Sequence, residues 1–115
     1  MTKNITTVEF KELIFNYTHG GEWKFKGDKP AIIDFYADWC GPCKMMAPGY
    51  EELSEQYQGF MDFYKVNTDE NTDLTNEFKV TSVPSILFIP VNGMPEMAVG
   101  ALPKADIEEA IKRFI

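Results

Sequence analysis

Apolar residues fall into two patterns along this chain, short continuous runs and longer stretches with helical spacing, and the two alternate. Ala31-Ile32-Ile33-Asp34-Phe35-Tyr36 is a nearly continuous apolar run entered at Pro30, the pattern of a central strand covered on both faces. From about Pro42 to Tyr57, Met46, Tyr50, Leu53 and Tyr57 recur at spacings of four, three and four, which predicts a helix with one inward stripe. Pro48 lies inside that helix, removes a backbone donor and is expected to bend it, and Gly59 closes it. Phe60 to Val66 reads as a second strand. A short helix follows from Thr72 to Phe78, with Asn71 or Thr72 as its cap and Leu74 and Phe78 inward. Ser85-Ile86-Leu87-Phe88-Ile89 is the next strand, and Asn92-Gly93 carries a two-residue turn signal. Pro95 stands at or outside the start of a strand with Met97, Ala98 and Val99, and a last helix from about Lys104 to Phe114 turns Ile107, Ala110, Ile111 and Phe114 to one side.

The N-terminal part is less regular. Glu9 follows Thr6 by three residues, a capping-box pattern for a first helix whose inward side would carry Phe10, Leu13 and Ile14. Residues 17–29 read as an extended loop or a short extra strand in which Trp23 and Phe25 share a face. No internal repeat interrupts the chain, and its 115 residues suit one domain spanning 1–115. Alternating strands and helices followed by a hairpin predict an α/β protein, a mixed central sheet between two helical layers.

Composition narrows the partners. The formal charge is −7, from 18 acidic and 11 basic residues, and no Lys/Arg cluster offsets it. Such a surface repels phosphate backbones, so nucleic acid is not expected as a partner. No stretch reaches the roughly 18 apolar residues that span a bilayer, and no membrane association is expected. The first seven residues lack the apolar run of a signal peptide, which fits a cytoplasmic protein. A periplasmic or secreted location is the alternative if a signal has been removed.

The two cysteines, Cys40 and Cys43, are separated by two residues. A bridge so short closes almost no loop and adds little stability, which favours chemistry over stapling. A structural zinc site normally takes four ligands, and the single histidine, His19, is distant in sequence, so no metal is expected. If the helix begins near Cys40, that sulfur meets backbone N–H groups without intrahelical partners and the positive end of the helix, both of which favour thiolate. Cys43, about one turn further, is placed to attack a mixed disulfide formed on Cys40. Pro42 is tolerated in the first turn and stiffens the loop, and Gly41 permits close backbone approach. Asp34, a carboxylate in a core strand, is costly unless paired or protonated, and is a candidate acceptor for the Cys43 proton. Local hydrogen bonding or a sheet-edge position is the alternative for Asp34. Lys65 is its possible charge partner or a solvent-facing lysine. A cis bond at Val83-Pro84 is an option that would free the Val83 N–H and C=O for an extended substrate. No Gly-rich phosphate loop is present, so no nucleotide or flavin cofactor is implied.

Asp34-Phe35-Tyr36-Ala37-Asp38-Trp39-Cys40-Gly41-Pro42-Cys43-Lys44-Met45-Met46-Ala47-Pro48 resembles the active-site segment of the thioredoxin family over its whole length. The likeness continues through Lys65-Val66-Asn67-Thr68-Asp69, Val83-Pro84, and the hairpin with Asn92-Gly93 and Gly100, covering roughly residues 30 to 115. It implies the thioredoxin fold and a protein-disulfide reductase, with Cys40 as exposed nucleophile, Cys43 as buried resolving thiol, Asp34 as the buried acid and Lys65 as its neighbour. Pro84 would be the cis-proline opposite the disulfide, Trp39 would shield the site, and Gly93 and Gly100 would fall in the substrate-docking surface. The implied partners are disulfide-containing proteins and an NADPH-dependent thioredoxin reductase. The redox group would be the Cys40–Cys43 disulfide itself, with no bound cofactor, and the protein is expected to be a monomer.

Two stretches depart from the common pattern. The Gly-Gly and Trp-Lys-Phe-Lys elements of residues 17–29 resemble those of Bacteroidetes thioredoxins, and Ser85 stands where many relatives carry threonine, a change expected to bear on docking. The competing readings are an oxidant or isomerase on the same fold, against which Gly41-Pro42 argues, and a non-enzymatic role as a subunit that clamps a larger protein.

Overall fold

A computed structural model describes residues 1–115. In chain order the elements are β1 (Lys3–Asn4), α1 (Thr7–Leu13), β2 (Ala31–Tyr36), α2 (Gly41–Gln56), β3 (Asp62–Asn67), α3 (Thr72–Glu77), β4 (Ser85–Ile89), β5 (Glu96–Val99) and α4 (Lys104–Ile111). The strands form one mixed sheet in the order β1-β3-β2-β4-β5. β1, β3 and β2 run parallel, and β4 and β5 are antiparallel to their neighbours.

β2 is the middle strand, which explains its nearly unbroken apolar run: both faces are covered, and it is buried up to Tyr36. Ala31, Ile33 and Phe35 point to one face with Phe10, Ile14, Val66, Leu74, Leu87 and Ile89, under α1 and α3. Ile32 points to the other with Met46, Tyr50, Leu53, Phe63, Ile86, Ile107 and Ile111, under α2 and α4. By strict alternation Asp34 lies on the α2 face.

The Thr6–Glu9 capping box is formed in both directions, with Glu9 N–H to Thr6 Oγ1 at 3.2 Å and Thr6 N–H to Glu9 Oε1 at 3.0 Å. Thr6→Ala is expected to cost about 1 kcal/mol, read from chemical unfolding, with little change in the steepness of the transition. Leu13, expected inward, is instead partly exposed, while Phe10 and Ile14 carry the contact. Residues 17–29 contain no strand. Trp23 and Phe25 nevertheless both pack on the α1/α3 side of the core, Trp23 against Phe15 and Phe78 at centroid distances of 5.0 and 6.3 Å.

Asn92-Gly93 does not make a two-residue hairpin. β4 ends at Ile89 and β5 begins at Glu96, with Phe88 opposite Glu96, so the turn residues sit in a wider connection bracketed by Pro90 and Pro95. Neither proline has an N–H to extend the ladder. α4 ends at Ile111, earlier than Phe114, yet Phe114 still stacks on Phe88 with centroids 5.5 Å apart. β1 has no counterpart in the apolar pattern. Its two residues join the sheet through backbone pairing with Tyr64 and Lys65.

Candidate active site

β2 delivers the chain through Ala37, Asp38 and Trp39 to Cys40, the N-cap of α2. The Cys43 N–H donates to Cys40 Sγ at 3.2 Å, so this sulfur occupies the place of a capping oxygen. Gly41 and Pro42 fill the first helical positions, where the missing proline donor leaves no partner unpaired. Cys40 and Cys43 are joined by a disulfide, with Cα atoms 5.3 Å apart.

The two cysteines do not differ in exposure as expected. Cys40 is 3 % and Cys43 4 % exposed, because in the oxidised form each sulfur covers the other and Ala37, Tyr36 and Val83 pack around both. The difference lies in what each faces. Cys40 Sγ receives the helix N–H and lies 3.6 Å from the Val83 carbonyl oxygen. Cys43 lines a crevice of about 130 Å³ shared with Tyr36, Ala37, Ala47 and Lys65.

The Val83–Pro84 peptide is cis. The turn leading into β4 is held by Ser85, whose hydroxyl donates to the Ser82 carbonyl at 2.7 Å, and by Gly100, whose N–H donates to the Pro84 carbonyl at 2.9 Å. Ser85 is buried, so it supports this turn rather than facing a docking partner. Gly100 adopts φ +101°, a backbone region that favours glycine. Gly93 is not near the site. β4 runs antiparallel to β2, so Ser85 pairs with Phe35 beside the cysteines while Ile89 pairs with Ala31 at the far end of the sheet, and Gly93 follows Ile89.

Trp39 is largely exposed and donates its indole N–H to Asp69 Oδ2 at 3.0 Å. It borders a polar groove of about 390 Å³ that runs along Thr68, Thr75, Thr81, Ser82 and Val83. On the other side of the disulfide, Pro42, Met45, Leu102 and Pro103 line an apolar hollow. The disulfide thus stands between two open surfaces.

Asp34 is fully buried, and neither carboxylate oxygen has a hydrogen-bond partner. Burial pushes its pKa up to about 6, against the opposing pull of the Lys65 ammonium. Asp34 and Lys65 are register partners across β2 and β3, yet they form no ion pair. The Lys65 ammonium instead lies 4.6 Å from the centroid of the Tyr36 ring. Sequence reasoning passed over Tyr36, although its position two residues after Asp34 on the same strand face was a usable signal. Asp69 had no such signal, since its contact with Trp39 spans 30 residues.

No group of three or more His, Cys, Asp or Glu side chains is arranged to hold a metal ion, and no helix is long and apolar enough to cross a membrane. The family model for thioredoxin matches residues 3–113. The thioredoxin of Borreliella burgdorferi is 49 % identical over 114 residues, covering 99 % of this chain and 97 % of that protein. The thioredoxin of Synechocystis is 31 % identical with the same coverage, 99 % and 97 %. An M-type chloroplast thioredoxin of Spinacia oleracea is 35 % identical over 82 % of this chain, which spans 52 % of that longer protein. Among solved structures, chloroplastic thioredoxin z is similar at a TM-score of 0.83 and 29 % identity, covering 98 % of this chain and 93 % of that one.

Proposed function

This chain belongs to the thioredoxin family, and on that premise we propose that Cys40 is the attacking sulfur, Cys43 the resolving one and Asp34 the acceptor of the Cys43 proton. The protein is a protein-disulfide reductase working by dithiol–disulfide exchange, with its own cysteine pair as the redox group. The observation that carries the division of roles is the 3.2 Å hydrogen bond from the Cys43 N–H to Cys40 Sγ at the start of α2. A donor and a helix N-terminus aimed at one sulfur stabilise its anion, and the anion is the nucleophile.

In the reduced protein, Cys40 thiolate attacks one sulfur of a substrate disulfide and releases the other as thiolate. A mixed disulfide results. Cys43 then loses its proton to ionised Asp34, directly or through water, and attacks Cys40 Sγ. The substrate's second sulfur leaves as thiolate, and the Cys40–Cys43 disulfide remains. Two electrons have passed from the cysteine pair to the substrate. An acceptor with a pKa of about 6 is ionised at neutral pH and is basic enough to take this proton.

Proteins of this family generally work with disulfide substrates and a thioredoxin reductase. For this chain we propose an NADPH-dependent reductase as electron donor, action as a monomer in the cytoplasm, and no nucleic-acid or membrane partner, in keeping with a net charge of −7. Substrate would dock over Trp39, the Val83 backbone and Gly100, where the polar groove and the apolar hollow flank the disulfide. Equilibration with glutathione tests the direction of electron flow. The cysteine pair is expected to remain largely oxidised against a large excess of reduced glutathione, as a reductant's pair does, and the reduced protein to cleave insulin disulfides. A pair fully reduced by modest glutathione would mark an oxidant and reverse the assignment.

A further inference from the structure

Asn4, Lys65 and Asp34 occupy one row of the sheet. Asn4 is the register partner of Lys65 across β1 and β3, and Lys65 is the partner of Asp34 across β3 and β2. In parallel strands such partners project to the same face, here the face covered by α2. Tyr36, two residues beyond Asp34, joins them. Its hydroxyl accepts a hydrogen bond of 2.6 Å from the Asn4 side-chain amide, and its ring carries the Lys65 ammonium at 4.6 Å. The same ring packs on the Cys40–Cys43 cluster and lines the crevice that Cys43 and Lys65 share.

We propose that Tyr36, tethered by Asn4, is a positioning residue of the exchange reaction: its ring holds the Lys65 ammonium in the crevice beside Cys43, within electrostatic reach of Asp34 but out of contact with it. A direct ion pair would tie up the carboxylate that must accept a proton, and an ammonium released to water would be screened from it. A cation over a ring face satisfies both requirements at once. The crevice is lined by two cations, Lys65 and Lys44, and by Asp38, and Lys65 is the one that is the register partner of Asp34 and whose charge acts on it. α2 also contributes Cys43 and the hydroxyl of Tyr50, which is bonded to the Ile32 and Tyr64 carbonyls, and β4 contributes apolar Ile86. This rests on Asp34 being the proton acceptor.

The test follows the Asp34 carboxyl carbon by NMR through a pH titration of the reduced protein, with the pH profile of single-turnover insulin reduction alongside. Lys65→Met removes a charge that favours the anion, so both midpoints move to higher pH. Tyr36→Leu is expected to move them in the same direction by at least half as much. The double variant is expected to match Lys65→Met alone, since without the ammonium the ring has nothing to hold. Tyr36→Phe and Asn4→Ala, which keep the ring and are the milder changes should Tyr36→Leu fold poorly, are expected to give equal, smaller upward shifts. Unmoved midpoints in Tyr36→Leu and both milder variants, or shifts that simply add in the double variant, would overturn the proposal. The Asp34→Asn protein separates the two readings. If its activity keeps the wild-type limb, Asp34 is not the acceptor and both fall. If its limb is lost while the Tyr36 and Asn4 variants match wild type, only the positioning role falls.

Discussion

Cys43→Ser is expected to lower insulin-reducing turnover by at least about 100-fold while leaving the first attack intact. Serine keeps the size of a residue packed among Ala37, Tyr36 and Val83, and the backbone N–H of position 43 still points at Cys40 Sγ. Cys40 therefore still captures a substrate sulfur. What is lost is the internal nucleophile, positioned one helical turn away and replaced only by dilute external thiol. The mixed disulfide should accumulate to near one substrate per protein, visible by mass spectrometry and on non-reducing gels. Retained turnover would remove Cys43 from the mechanism.

The second large effect concerns stability. Asp34→Asn is expected to stabilise the fold at pH 7 to 8 by up to about 3 kcal/mol. The carboxyl is fully buried, both oxygens lack partners, and its pKa stands at about 6 against an ordinary 3.8. At 1.36 kcal/mol per pKa unit, that difference is about 3 kcal/mol. The sign follows from proton binding. Between pH 3.8 and about 6 the folded state holds the proton that the unfolded state has released, so wild-type stability falls as pH rises through this window and is flat in this respect above it. The asparagine protein lacks that decline, and the gap between the two closes below about pH 4. Urea unfolding at several pH values measures it. A gap independent of pH would mean that burial does not raise the folded-state pKa of Asp34 above its unfolded value. The same substitution is expected to slow release of the mixed disulfide at pH 7, so stability and activity should move in opposite directions.

What could be read from the chain was local. The apolar run of β2, the stripe of α2 and the two cysteines at their junction are contiguous, so periodicity and helix-terminus chemistry suffice to place Cys40 at an N-cap and Asp34 inside the sheet. What escaped depended on strand order and direction. β1 is too short for any periodicity, yet it supplies Asn4 to the row that ends at Asp34. The family resemblance groups Gly93 with Gly100 in the docking surface, but the antiparallel direction of β4 sends one to the far end of the sheet and returns the other to Pro84. The anticipated contrast between an exposed Cys40 and a buried Cys43 also fails in the disulfide form, where accessible area is nearly equal and electrostatic surroundings distinguish the two. Residues 17–29 carry three aromatic side chains, Tyr17, Trp23 and Phe25, that only the folded core explains, sealing the side of the sheet opposite the active helix.

The unequal surroundings of the two sulfurs are tested most directly by alkylating the fully reduced protein with iodoacetamide across a pH series and assigning each adduct by mass spectrometry. Cys40 should react first at every pH, with a midpoint well below the ordinary cysteine value of about 8.5, while Cys43 stays largely unmodified. Equal reaction at both residues, or a Cys40 midpoint at or above that ordinary value, would show that the start of α2 does not hold a thiolate.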